Sequence, residues 1–284
     1  MIQVQRLGFI YPKAVKPALS AIEFQVKEGE IFGFLGPSGA GKTTTQKIII
    51  GLLGNYSGSV KIFGKERCEM GRDFFEHIGV AFEMPNLYQK LTAYENLKLF
   101  ASYYQNRPRS FDELLDQVGL LADRNQKVEN FSKGMKMRLN LIRSLMHQPE
   151  VLFLDEPTTG LDPVNSKKVM DIVRDLKRAG RTVLITTHNM NVADELCDRV
   201  AFIVDGRIRL IDSPGELKLK YGKRRVDVEY REAGEERKAS FHLDGLGDNP
   251  DFIDLIQNRY ILRIHSQEAT LDEIFIKVTG RELI

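Results

Sequence analysis

Apolar and polar residues alternate early in the chain. Ile22, Phe24 and Val26 fall on one side and Glu23, Gln25 and Lys27 on the other, the pattern of a half-buried, antiparallel strand. After the turn Glu28-Gly29-Glu30 the alternation gives way to an unbroken apolar run, Ile31-Phe32-Gly33-Phe34-Leu35, as expected of a short buried strand. Val60 and Ile62 suggest another alternating strand, and Ile78 to Phe82 is a further apolar run.

From about Pro85 to Gln148 the spacing becomes helical. Ala93 to Tyr104 carries apolar residues at helical intervals. Ser110 followed by Glu113 predicts a capping box ahead of a helix with Phe111, Leu114, Leu115 and Val118 on one face. Lys133 to Met146 predicts a third helix, striped by Leu139, Ile142 and Leu145. These helices predict a subdomain inserted into an α/β core.

The core pattern then resumes. Val151 to Leu154 and Thr182 to Thr186 read as buried strands. Between them, Pro163 opens a helix and Gly180 follows its end. Arg199 to Val204 and Arg207 to Ile211 flank Asp205-Gly206, a strong hairpin signal. Beyond Gly222, strands are expected at Arg225 to Tyr230, Lys238 to Leu243 and Tyr260 to Ile264. A loop is expected around Gly245, Gly247 and Pro250, and a short helix at Leu271 to Val278. Strands alternating with helices imply a mostly parallel sheet. The expected organisation is a domain over residues 1–221, with the helical subdomain at about 85–148, and a small α+β module over 222–284.

Chemistry concentrates in two places. Residues 36–44, Gly36-Pro37-Ser38-Gly39-Ala40-Gly41-Lys42-Thr43-Thr44, fit the pattern G-x-x-x-x-G-K-[ST] between a buried strand and a helix. Glycines let backbone N–H groups cradle phosphate oxygens, and the new helix turns its positive end to the same anion. Lys42 is expected on the outer phosphates and the Thr43 hydroxyl on Mg²⁺. Asp155 and Glu156 close the run Val151-Leu152-Phe153-Leu154. Strand ends of this kind converge on the phosphate loop. Asp155 is therefore expected to bind Mg²⁺, directly or through water, and Glu156 to polarise a water for in-line attack on the γ-phosphate. A second anion-facing device lies at Phe131-Ser132-Lys133-Gly134-Met135, where Ser132 and Gly134 start a helix. Two such devices are redundant in one chain unless the second serves a nucleotide held by another copy.

Composition removes other readings. The 284 residues are 42% hydrophobic and 28% charged, with formal net charge +2. This is ordinary globular composition with no nucleic-acid footprint. The longest apolar stretches are far too short to span a bilayer, and the N-terminus shows no secretion pattern. Cys68 and Cys197 stand apart without metal-ligand spacing. Both read as reduced structural thiols of a cytoplasmic protein.

With these motifs in order, residues 1–221 resemble the ATP-binding cassette of ABC transporters, a P-loop NTPase with an antiparallel N-terminal β-subdomain. Ser132 and Gly134 match the family's Leu-Ser-Gly-Gly-Gln signature, while Phe131, Lys133 and Met135 depart from it. Thr159-Gly160-Leu161-Asp162-Pro163 resembles its D-loop, His188 its switch histidine and Tyr11 the aromatic that stacks on adenine. The resemblance implies an ATPase using ATP and Mg²⁺ and releasing ADP. It implies a second, similar subunit contacting the nucleotide through Ser132, Lys133, Gly134, Met135 and Asp162. It also implies a separate integral-membrane permease receiving the segment Glu83 to Asn96, and residence on the cytoplasmic face of the membrane. The tail Leu271 to Leu283 is similar to that of multidrug and antibiotic exporters. Glu83 departs from the family's glutamine: it can ligate the metal but, ionised, cannot donate to water. A soluble cassette ATPase on a non-membrane partner and a non-hydrolysing regulator remain alternatives.

Overall fold

The computed structural model describes residues 1–105, 110–222, 225–267 and 269–281. Of the tail, Glu282 and Leu283 lie outside the described residues. The chain divides into two compact units, one spanning Met1–Asp212 and one beginning at Ser213. The division thus falls ahead of residue 221, and the helix Pro214–Tyr221 groups with the C-terminal unit.

In the first unit an antiparallel sheet is built from β1 (Ile2–Phe9), β2 (Leu19–Val26), β4 (Ser57–Ile62) and the two-residue β5 (Lys65–Glu66), in the order β2-β1-β4-β5. Along β2 the alternation is as expected, with Ile22, Phe24 and Val26 buried and Glu23 and Gln25 exposed. Phe24 meets Phe32 and Phe34 at ring-centroid distances of 5.6 and 4.8 Å, contacts that stabilise by about 0.5–1.5 kcal/mol each beyond burial. They join this sheet to the larger one.

That larger sheet contains β3 (Ile31–Leu35), β6 (Ile78–Ala81), β7 (Val151–Asp155), β8 (Thr182–Thr187), β9 (Arg199–Val204) and β10 (Arg207–Asp212), in the order β10-β9-β3-β8-β7-β6. All neighbours are parallel except β9 and β10, which form the expected hairpin. Asp205 (φ 50°) and Gly206 (φ 69°) both take the left-handed conformation that a tight hairpin turn demands. β3, β7 and β8 are buried along their whole length, as strands covered on both faces must be. Helix α1 (Lys42–Ile49) follows β3, and β6 forms one edge of the sheet.

The helical insertion contains α2 (Ala93–Ala101), α3 (Phe111–Gln117) and α4 (Lys133–Leu145) around a cluster including Leu97, Leu114, Leu115, Leu139 and Ile142. Only half of the expected capping box forms at α3: Ser110 accepts from the Glu113 N–H, and among the described residues the Glu113 side chain does not return the bond. The complete box lies instead at α2, between Thr92 and Glu95. After β7 comes α5 (Pro163–Arg178), capped by Asp162, and after β8 comes α6 (Met190–Leu196).

The C-terminal unit holds α7 (Pro214–Tyr221) and a three-stranded sheet of β11 (Arg225–Glu232), β12 (Glu235–His242) and β13 (Tyr260–Gln267), ordered β12-β11-β13. The loop expected around Pro250 is shorter than its glycines suggested. Asn249 caps a helix, α8 (Pro250–Asn258), whose Phe252 and Leu255 pack against Val226 and Val228. The chain ends in α9 (Leu271–Thr279), with a capping box between Thr270 and Glu273. Cys197 is buried and Cys68 exposed, and both are free thiols. Among the described residues no helix is long and apolar enough to cross a membrane.

Candidate nucleotide-binding site

β3 delivers the chain to residues 36–41, and α1 begins at Lys42. Two glycines are required by geometry. A Cβ on Gly36 would run into the carbonyl oxygen of Ile203, and Gly41, at φ 109°, caps α1 in a conformation that L side chains rarely adopt. The loop and helix start open on a cavity of about 290 Å³, lined by Ser38 to Thr44 on one side and by Glu83, Asp155, Glu156 and His188 on the other. The strand ends carrying these residues therefore converge as expected.

Lys42 is folded into the loop, its Nζ donating to the carbonyls of Gly36 at 2.6 Å and Pro37 at 3.1 Å. Burial lowers its pKa, while Glu156, Asp155 and Glu83 oppose that shift. A polyphosphate supplies the anionic charge that favours the ammonium form.

Asp155 lies at the end of β7 and is buried. It accepts from Thr43 Oγ1 at 3.2 Å and from the Thr186 hydroxyl. Burial pushes its pKa up, with both hydroxyls working in the opposite direction. Thr43, Asp155 and Glu83 form a hard-oxygen set suited to Mg²⁺, which is held by one or two carboxylates and completed by phosphate and water. Among the described residues no group of three or more His, Cys, Asp and Glu side chains forms a self-sufficient metal cage. An ion sharing its ligands with a nucleotide fits this set.

Glu156 takes a positive φ of 50°, uncommon for a residue with a side chain. Its N–H donates to the Thr186 carbonyl at 2.9 Å. The carboxylate accepts four bonds. Oε1 takes the N–H and Nδ1–H of His188 at 3.0 and 2.8 Å, and Oε2 takes the hydroxyls of Thr159 and Thr187, each at 3.1 Å. Facing a carboxylate, Nδ1 of His188 is the nitrogen that carries the proton of this bond. The Glu156 side chain is 8% exposed and that of His188 55%, so the pair presents an open imidazole edge over a buried acid.

Tyr11 is not part of the cavity lining. It is half-exposed, packs edge-on against Phe9, and its hydroxyl lies 3.1 Å from Thr44 Oγ1. Ser132 and Asp162 cap α4 and α5, accepting from the N–H groups of Met135 and Asn165. The side chain of Lys133 lies against Gly160, and Gly134 faces Leu161. Residues 132–135 and 160–162 are therefore neighbours, and none of them lines this chain's own cavity. Sequence reasoning missed Thr159, Thr186 and Thr187. The signal was available: a threonine pair at the end of a fully buried strand must direct its hydroxyls to something polar.

Residues 19–159 match the ABC transporter family, and residues 224–268 match the fluoroquinolone efflux ABC transporter C-terminal domain. A fluoroquinolones export ATP-binding protein of Mycobacterium tuberculosis is 55% identical over 284 residues, covering all of this chain and 94% of the relative. The chain belongs to the ABC transporter family. A bacitracin transport ATP-binding protein of Bacillus licheniformis is 33% identical over 90% of this chain and 83% of its own length. Among solved structures, a dimeric ATP-binding cassette in a post-hydrolysis state bound to ADP and Pi superposes with a TM-score of 0.70. The two are 28% identical over 75% of this chain and 99% of that one. This ABC subunit binds ATP and is an ATPase.

Proposed function

We propose that this subunit powers export as one of a head-to-tail pair of cassettes on the cytoplasmic face of a membrane, acting on a separate multi-spanning permease. The single observation that carries the reading is the convergence of Lys42, Thr43, Asp155, Glu156 and His188 on one cavity. The 36–44 loop and Lys42 bind the phosphates, and Tyr11 offers its ring to the base. Thr43, Asp155 and Glu83 hold Mg²⁺, which when bound neutralises charge on the phosphate oxygens. Glu156 accepts a proton from the attacking water as its oxygen bonds to the γ-phosphorus and the bond to the β-phosphate bridge breaks, releasing ADP. Nδ1 of His188 orients Glu156, and its Nε2 is the ring atom available to the γ-phosphate.

The second subunit supplies Ser132, Lys133, Gly134, Met135 and Asp162. Their position away from this chain's cavity supports that reading, as does the dimeric state of the similar cassette bound to ADP and Pi. The segment 83–96 is offered to the permease. Met84 is 80% exposed there, and Asn96 braces the turn by bonding both backbone groups of Tyr88 at 2.9 and 3.0 Å. The export cargo is a fluoroquinolone-type drug, supported by the mycobacterial relative and by the match over 224–268. The unit beginning at Ser213 carries none of the nucleotide-binding groups and serves assembly or regulation.

The test is Ser132→Arg, which places bulk and charge where the other subunit's nucleotide docks. Each subunit should still bind ATP, while ATP-driven dimerisation and hydrolysis are lost. Loss of ATP binding by the monomer would put Ser132 in its own subunit's site and overturn the shared arrangement.

A further inference from the structure

β6 is an edge strand, and the carbonyls along its open side need partners that no neighbouring strand provides. Side chains from α4 and the residues just after it supply them. Asn140 Nδ2 donates to the Phe82 carbonyl at 2.8 Å, Arg143 Nη2 to Val80 at 3.3 Å and His147 Nε2 to Ile78 at 2.8 Å. The donors recur at helical spacing and the acceptors at every second strand residue. From Asn140 to His147 the helix rises about 10.5 Å and from Phe82 to Ile78 the strand about 13 Å, a difference small enough for the side chains to span. Arg143 Nη1 also reaches the Asn86 carbonyl at 3.3 Å, on the far side of Glu83. The backbone is thus held both before and after that carboxylate.

The zipper is tightly enclosed. A Cβ on Gly79 would collide with the Ser144 carbonyl oxygen of α4, so strand and helix meet backbone to backbone. On the other side, Phe100 lies 4.7 Å under the Arg143 guanidinium, and Tyr104 stacks on His147 at 3.8 Å with the rings 9° from parallel. Asn140 and His147 are each 1% exposed, yet Asn140 Oδ1 and His147 Nδ1 have no partner among the described residues. An orphaned buried polar atom costs free energy that an apolar side chain would avoid. These residues are therefore kept for the one bond that each donates.

We infer that Asn140, Arg143 and His147 are positioning residues for ATP hydrolysis, locking the Glu83 loop to the helix that starts at Ser132. Glu83 faces this subunit's own nucleotide, whereas Ser132 faces the other subunit's. The zipper makes them ends of one rigid body, so engagement of α4 across the dimer is felt by the carboxylate beside the metal in the same chain. This rests on the reading of Glu83 as a metal-facing residue.

The test is a double-mutant cycle on metal dependence. ATP affinity is measured with Mg²⁺ and with a chelator for the full chain, Asn140→Leu, Glu83→Gln and the double variant. Melting temperatures show which variants are folded, and Arg143→Met replaces Asn140→Leu in the cycle should the latter fail to fold. The ratio of the two affinities should drop by about fivefold in Glu83→Gln and in Asn140→Leu, with no further drop in the double variant. A normal ratio in Asn140→Leu beside a reduced one in Glu83→Gln would overturn the positioning role alone. Additive losses would do the same, since Asn140 would then act independently of Glu83. An unchanged ratio in Glu83→Gln would remove Glu83 from the metal and the inference with it.

Discussion

Glu156 and His188 are bound to each other twice through one oxygen: Glu156 Oε1 accepts the ring Nδ1–H at 2.8 Å and the backbone N–H at 3.0 Å. With Thr159 and Thr187 on Oε2, the lone-pair directions of the carboxylate are filled. The acid is held in one orientation, and one donor must yield before it can take a proton from water. His188→Ala removes the ring donor and leaves the backbone one. It should lower kcat by about 100-fold, in the range of lost acid–base assistance, with little change in ATP affinity. Equilibrium ATP binding and steady-state turnover, measured together, check this. A rise in Kd at constant kcat would assign His188 to binding alone.

The division at Asp212/Ser213 bears on truncation. Every residue lining the nucleotide cavity lies within Met1–Asp212. A chain ending at Asp212 should fold and bind ATP within about threefold of the full chain, a difference of about 0.7 kcal/mol or less. Transport by the assembled complex should suffer more than binding does. A truncated chain with no cooperative melting transition would show that the C-terminal unit completes the first unit's core.

Much of this was legible along the chain because it is local. The Gly36 to Thr44 pattern, the alternation around Phe24 and the turn at Asp205-Gly206 each state their geometry within a few residues. Asp155 and Glu156 were readable as strand-end carboxylates once the phosphate loop was known. Contacts between distant segments were not readable. Nothing beside Asn140, Arg143 or His147 in sequence reveals the carbonyls of Ile78, Val80 and Phe82, because edge-strand partners are set by tertiary packing. Helix α8 was hidden for a different reason: Gly245 and Gly247 spoke for a loop, although Asn249, Pro250, Phe252 and Leu255 spell a capped helix with an apolar face.

His147 gives stability a specific pH dependence. Burial holds its pKa below the ordinary histidine value of 6.5, against the opposing effects of the Ile78 carbonyl and of Glu76. Arg143 and Tyr104 lie alongside. The folded chain therefore keeps the ring neutral where the unfolded chain takes up a proton. Stability contributed by neutral His147 is full above about pH 6.5 and is lost as pH falls toward its folded pKa, by at most about 1.4 kcal/mol per pH unit. Melting temperatures of the full chain and His147→Gln, compared from pH 7.5 to 5, should show the native protein losing ground to the variant on acidification. A difference independent of pH would mean that the ring titrates alike in both states.

The central claim is that Glu156 takes the proton from the attacking water while the rest of the cavity binds the nucleotide. Steady-state ATP hydrolysis by Glu156→Gln tests it most directly, since the amide keeps the shape and loses the base. The account predicts turnover at least about 100-fold slower, ATP affinity unchanged and ATP-bound dimers accumulating. Turnover equal to that of the native protein would contradict it and remove Glu156 from the mechanism.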